Sequence, residues 1–177
     1  MDEDTTTNGN AVMTTTVEER ELVLERTFDA PREKVFKAYT DPDQIIQWWG
    51  PKDWLTTVYT MDVKPGGTWH YCMRGPDGKE SWGKATYHEV KAPSRLKYTD
   101  NFADAEGNVI KGMPEMTTTV EFVEFEGTTR LVWRIEFAAT ADLESVLAMG
   151  VVQGAGESWD RLNSYLAQQR EVPIPSM

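Results

Sequence analysis

Large apolar side chains recur at every second position over much of this chain, and in three stretches they recur at helical spacing instead. Over residues 68–74, Trp69, Tyr71 and Met73 fall on one side while Thr68, His70, Cys72 and Arg74 fall on the other, the period of a half-buried strand. Pro65-Gly66-Gly67 precedes this stretch and Gly75-Pro76-Asp77-Gly78 follows it. Pro presets one corner and Gly accepts the positive φ of the next, so both are turns. Further strands are predicted over 18–28, 56–63, 82–90, 95–102, 115–125 and 128–138.

The last two form a hairpin whose register can be checked from the sequence. A two-residue turn at Glu126-Gly127 sets Phe125 opposite Thr128. Phe122 then faces Leu131, Val120 faces Trp133, Thr118 faces Ile135 and Met116 faces Phe137, all on one side. The other side collects Thr117, Thr119, Glu121, Arg130, Arg134 and Glu136, so the sheet is expected to be covered on one face and wet on the other.

Helical spacing appears first at Val35, Phe36, Ala38 and Tyr39, after Pro31 at a favoured first helical position. A second short helix opens at Asp41-Pro42-Asp43-Gln44, with a capping residue, a Pro and a Gln three after the cap, and Gly50-Pro51 stops it after Trp48-Trp49. The longest helical pattern covers 141–169 through Leu143, Val146, Leu147, Val151, Leu162, Tyr165 and Leu166. Gly150, Gly154 and Gly156, with Ala148 and Ala155, interrupt its bulk. Either the helix starts near Gly156, or small side chains leave space over the sheet.

The order of elements predicts an α+β fold: a curved antiparallel sheet of about seven strands around a long C-terminal helix, with two short helices between the first two strands. Residues 1–17 are Thr-rich and acidic with little to bury, which predicts a disordered tail; 18–169 form one domain and 170–177 a short C-terminal tail.

Composition narrows the partners. The chain has 177 residues and a formal net charge of -11, which opposes a phosphate backbone, so no nucleic-acid partner is expected. The single cysteine, Cys72, permits no intrachain disulfide and reads as a surface or edge residue. No long apolar run and an acidic start predict a cytoplasmic protein without membrane insertion, monomeric or homodimeric. His70 and His88 have no Cys or carboxylate at metal-ligand spacing, and no nucleophile elbow, phosphate loop or dinucleotide fingerprint occurs, so neither metal nor cofactor is expected. The alternation turns His70 toward solvent. The inward face of 82–90 stays open between Trp82, Lys84, Thr86 and His88 on one register and Gly83, Ala85 and Tyr87 on the other. Asp100, Asp104, Glu106 and Glu115 flank the loop at 103–113, as a solvated acidic face or as a gate to a cavity mouth.

Several of these pieces together resemble one family. Phe28-Asp29-Ala30-Pro31, Trp48-Trp49-Gly50-Pro51, Lys64-Pro65-Gly66-Gly67-Thr68-Trp69, Gly75-Pro76-Asp77-Gly78, and Trp159 followed by Leu162 and Leu166 resemble the SRPBCC (START-like, helix-grip) superfamily. Within it the chain is similar, over about 19–169, to the branch named for activators of the heat-shock protein 90 ATPase. The resemblance implies a cavity between sheet and long helix that takes a hydrophobic small molecule or lipid. Its expected lining is Trp48, Trp49, Trp69, Tyr71, Met73, Tyr98, Val120, Phe122, Trp133 and Trp159, residues that on pattern alone would equally fill a packed core. Some relatives are cyclases or dehydratases, which would give His88, Tyr98 or Lys84 an acid–base role. The branch name adds a chaperone as an alternative partner. The co-chaperone that gave the name grips it through an additional domain to which nothing here corresponds.

Overall fold

The computed structural model describes residues 2–8 and 11–171, with side chains for 13–169. Among the described residues nine antiparallel strands form a single curved sheet: β1 (Asp2–Asn8), β2 (Ala11–Glu18), β3 (Glu21–Phe28), β4 (Leu55–Met61), β5 (Thr68–Arg74), β6 (Glu80–Lys91), β7 (Arg95–Phe102), β8 (Glu115–Phe125) and β9 (Thr128–Glu136). Their spatial order is β1-β2-β3-β9-β8-β7-β6-β5-β4, so β3 closes against the last strand and β4 is the far edge. Helices α1 (Arg32–Thr40) and α2 (Pro42–Ile45) lie between β3 and β4, while α3 (Thr140–Ala148) and α4 (Val151–Glu171) follow the sheet. Among the described residues no helix is long and apolar enough to cross a membrane.

The seven expected strands are present, and two more precede them. Residues 1–17, read as a tail, instead contribute β1 and most of β2, which pairs with β3 from Thr14↔Glu25 to Glu18↔Glu21. Bulk was the wrong criterion there. A strand needs only alternate residues to bury, which Met13 and Thr15 do, and its backbone satisfies the row of polar groups that β3 would otherwise leave open. At the other end α4 runs to Glu171, two residues into the expected tail; 172–177 lie outside the described residues.

The predicted hairpin register holds from Phe125↔Thr128 through Phe122↔Leu131, Val120↔Trp133 and Thr118↔Ile135. Glu126 and Gly127 both take positive φ, 50° and 81°, the twist that a two-residue turn requires to match its strands. The second helix is shorter than its capping signal suggests. Asp41 Oδ1 accepts from the Asp43 amide at 2.9 Å, but α2 ends at Ile45 and the chain reaches Trp49 through turns.

The inner face of the sheet packs on the helices. Leu22, Leu24, Phe28, Leu96, Val120, Phe122, Leu131 and Ile135 are buried there against Val35, Phe36, Trp159, Leu162 and Leu166. Arg26 is also buried on this face, and its guanidinium meets Asp160 of α4 at 2.7 Å, an ion pair that ties helix to sheet. The outer face over β4, β5 and β6 is not simply wet. Tyr59, His70 and Trp82 gather there with ring centroids 5.0 to 5.7 Å apart, and the 103–113 loop folds over them. His70 therefore faces outward as expected yet is 8% exposed: its Nε2–H donates to the Asp104 carbonyl at 3.0 Å. Lys84 Nζ donates to the Gly107 carbonyl at 3.0 Å, so this loop covers the outside of the sheet. Cys72, expected as a surface or edge residue, is likewise buried, on the strand next to the edge, and burial with the adjacent Glu80 carboxylate pushes its thiol up to about 11.

Candidate functional site

The site is created by a break in the closing helix. α3 ends at Ala148 with Met149 as its C-cap, and Gly150 takes φ +86° before α4 starts at Val151. Only glycine adopts that angle without strain, so the break is written into the sequence at this residue. The helix thus restarts well before Gly156, and of the two readings of the small residues the second is correct. Gly154 and Ala155, near the start of α4, present almost nothing to the sheet beneath them.

What remains between them is a cavity of about 360 Å³. One wall is the 49–54 segment with Trp49, Pro51 and Trp54; the opposite wall is Trp133, Met116 and Trp159; the inner face of β5, β6 and β7 supplies Tyr71, Met73, Gly83 and Asp100. The 49–54 wall is held by α4. Arg161 Nη1 lies 3.0 to 3.4 Å from the carbonyl oxygens of Trp49, Gly50, Pro51 and Trp54, and the Gly50 amide donates to Ser158 Oγ at 3.0 Å. A cation shared among four carbonyls fixes an irregular segment that has few backbone partners of its own.

Of the ten expected lining residues, Trp48, Trp49, Tyr71, Met73, Trp133 and Trp159 border the cavity. Trp69, Tyr98, Val120 and Phe122 do not: they are buried on the same face but pack as core. Trp69 still shapes the site, stacking on Tyr71 with centroids 4.4 Å apart while Trp49 stands edge-on to it at 4.8 Å. On the helix side, Trp159 Nε1–H donates to the Tyr39 hydroxyl at 3.0 Å, which orients both rings. The register of β6 is now settled: Gly83, Ala85 and Tyr87 face inward, opposite Tyr71, Trp69 and Tyr98 respectively. Lys84 and His88 are on the outer face, where the His88 imidazole meets Thr99 Oγ1 at 2.6 Å.

The charged residue on the cavity wall is Asp100, which no sequence argument singled out as a site residue. It is 9% exposed, and Tyr71 donates its hydroxyl proton to Oδ2 at 3.0 Å. Its other oxygen, Oδ1, is buried without a hydrogen-bond partner. Burial pushes the carboxyl up to about 6, an effect that the Tyr71 hydroxyl and the Asn101 backbone amide offset only in part. Tyr71 is pushed well above the ordinary phenol range, first by burial and then by the carboxylate beside it, so it stays a donor. The signal was present in the sequence: Leu96, Tyr98, Asp100 and Phe102 share one side of a strand, so an acid stands in an apolar row. Charge density alone groups it with Asp104, Glu106 and Glu115, as a solvated acidic face or a gate to a cavity mouth.

The same overall fold is found in other proteins. Protein Ms6760 from Mycobacterium smegmatis is 30% identical to this chain, covering 92% of it and 97% of its own length, with a TM-score of 0.81. A protein from Staphylococcus epidermidis is 31% identical over 92% of this chain and 99% of its own, with a TM-score of 0.78. One from Arthrobacter aurescens is 27% identical over 87% and 91%, with a TM-score of 0.82. No curated protein matches the chain. Residues 29–167 match the family described as Activator of Hsp90 ATPase homolog 1-like protein, a stretch that runs from the first short helix through the sheet to the closing helix. By that match and by its helix-grip architecture, the chain belongs to the Activator of Hsp90 ATPase homolog 1-like family of the SRPBCC superfamily.

Proposed function

We propose that this protein binds an apolar or aromatic small molecule in the space between sheet and α4. The observation that supports it is the helix break at Gly150, which sets Gly154 and Ala155 over a floor of rings and leaves about 360 Å³ unfilled. That is within the range of ligand sites, commonly ~300–1,000 Å³. Protein interiors are otherwise close-packed, and an unfilled apolar volume forfeits contacts that large side chains in place of Gly154 and Ala155 would supply.

The test is a mixed panel of hydrophobic ligands read by tryptophan fluorescence and by melting temperature. Trp49, Trp133 and Trp159 border the space, so a bound guest quenches their emission saturably and raises the melting temperature. A panel without any saturable response overturns the proposal. An acid–base role for His88 or Lys84 loses its support, since both side chains are on the outer face, and Tyr98 is in the core. The family descriptor names ATPase activation. With function placed in the cavity, adding the chain to the chaperone is expected to leave its ATPase rate unchanged, and stimulation would favour the chaperone reading.

A further inference from the structure

We infer that the preferred guest is a hydrophobic cation, an aryl or alkyl amine whose ammonium group pairs with Asp100 while its apolar body lies among Trp49, Trp133 and Trp159. The inference rests on the cavity reading and adds the chemistry of the ligand's polar end.

Three observations converge on a positive head group. Asp100 is more than nine-tenths buried and borders the cavity; Oδ2 accepts from the Tyr71 hydroxyl, while Oδ1 has no hydrogen bond and almost no accessible surface, so a guest's donor reaches it with a turn of the carboxylate. Buried polar atoms in native proteins are nearly always satisfied, and an orphaned carboxylate oxygen is the kind of exception that a bound donor explains. An ammonium brings three donors and the opposite charge. Next, the described residues bordering the cavity include no Lys, Arg or His, and the nearby Arg161 guanidinium is already engaged by the backbone carbonyls of the 49–54 wall. A fatty-acid carboxylate placed there would be a desolvated anion beside a second carboxylate, with no cation among the described lining residues to neutralise either. Finally, the rings of Trp49, Tyr71, Trp133 and Trp159 line the walls, and aromatic rings attract a cation that has been taken out of water.

The elevated pKa of Asp100 agrees with this. Burial lets the carboxyl keep its proton up to about pH 6, and a bound ammonium would favour the ionised form. The overall charge of -11 adds a general attraction for cations and a repulsion for anions. The competing view is that Asp100 only anchors Tyr71. An anchor gives no preference among guests by charge, and this separates the two.

Matched probes with one ring system and three head groups decide it: naphthylmethylamine, naphthylmethanol and naphthoate, with phenethylamine, phenethyl alcohol and phenylacetate as a smaller set, titrated calorimetrically at mildly alkaline pH. In each set the amine is expected to bind at least about tenfold more tightly than the alcohol, with the carboxylate weakest. In Asp100→Asn, which keeps an acceptor for Tyr71, the amine's advantage should fall to within about twofold of the alcohol. An alcohol or carboxylate that equals the amine in the unmodified protein, or an amine advantage that persists in Asp100→Asn, overturns the charge assignment and leaves the cavity reading standing. Silence from all six probes overturns both. If Asp100→Asn does not fold, the ranking of head groups in the unmodified protein decides alone.

Discussion

Gly83 and Tyr71 face each other across β5 and β6, and the absence of a side chain on the first is what lets the ring of the second lie against the sheet. A Cβ on Gly83 would stand 2.5 Å from both Cζ and Oη of Tyr71. That distance is closer than any real contact, so the glycine is needed for the direction of the phenol and hence for its hydrogen bond to Asp100. Gly83→Ala must swing the ring away. The expected cost is about 1–3 kcal/mol, typical of forcing an added methyl against a packed ring, together with a loss of the Tyr71–Asp100 hydrogen bond. Denaturant unfolding measures the first and a crystal structure of the variant the second; an unchanged midpoint and an unmoved ring would contradict the packing described.

Asp100 makes stability depend on pH in a direction that can be derived. Its carboxyl is raised to about 6 in the folded protein from 3.8, so between those values the native state holds a proton that the unfolded chain has released. Stability therefore falls as pH rises through that window and the penalty is complete above it. A difference of that size corresponds to about 3 kcal/mol at most. Asp100→Asn carries no such charge. Its advantage over the unmodified protein should be small near pH ~4 and grow by about 1–3 kcal/mol by pH ~7.5 in urea unfolding. Parallel pH profiles for the two proteins would show that the carboxylate is not desolvated.

The two glycines at the head of α4 are expected to respond oppositely. Gly150 has open space around a hypothetical Cβ but sits at φ +86°, so Gly150→Ala meets no neighbour and is strained by its backbone alone. It should destabilise by about 1 kcal/mol. Gly154 is an ordinary helical position whose Cβ would touch Pro51 Cγ at 3.5 Å, a normal van der Waals distance. Gly154→Ala should stabilise by roughly 0.5–1 kcal/mol through helix propensity. Melting curves of both variants check the pair, and destabilisation by Gly154→Ala would mean that α4 does not begin where it is placed.

The parts of this fold that sequence makes legible are those fixed by local chemistry. The hairpin at Glu126-Gly127 could be registered to the residue because a two-residue turn leaves no freedom in pairing. The cavity wall was only partly legible, since Tyr71 on β5 and Tyr98 on β7 have the same period-two burial on one face of the sheet, yet one borders the cavity and the other is core. Which of them is reached depends on where the closing helix breaks, and that is a tertiary fact. His70 shows the same limit on the outer face: alternation gave its direction correctly, but its cover is the 103–113 loop, which no periodicity describes. Asp100 was missed for a different reason. Its place in the row Leu96, Tyr98, Asp100, Phe102 was outweighed by the acids that follow it, although strand position and not local charge density decides burial.

Everything proposed for this protein depends on a reachable, unfilled volume under Gly154 and Ala155. Apolar cavities of this kind take up xenon, so the most direct measurement is diffraction from crystals held under xenon pressure. An ordered xenon atom between Trp49, Trp133 and Gly154 is the expected result; crystals that diffract equally well with no xenon there, and with side chains filling the gap, would contradict it.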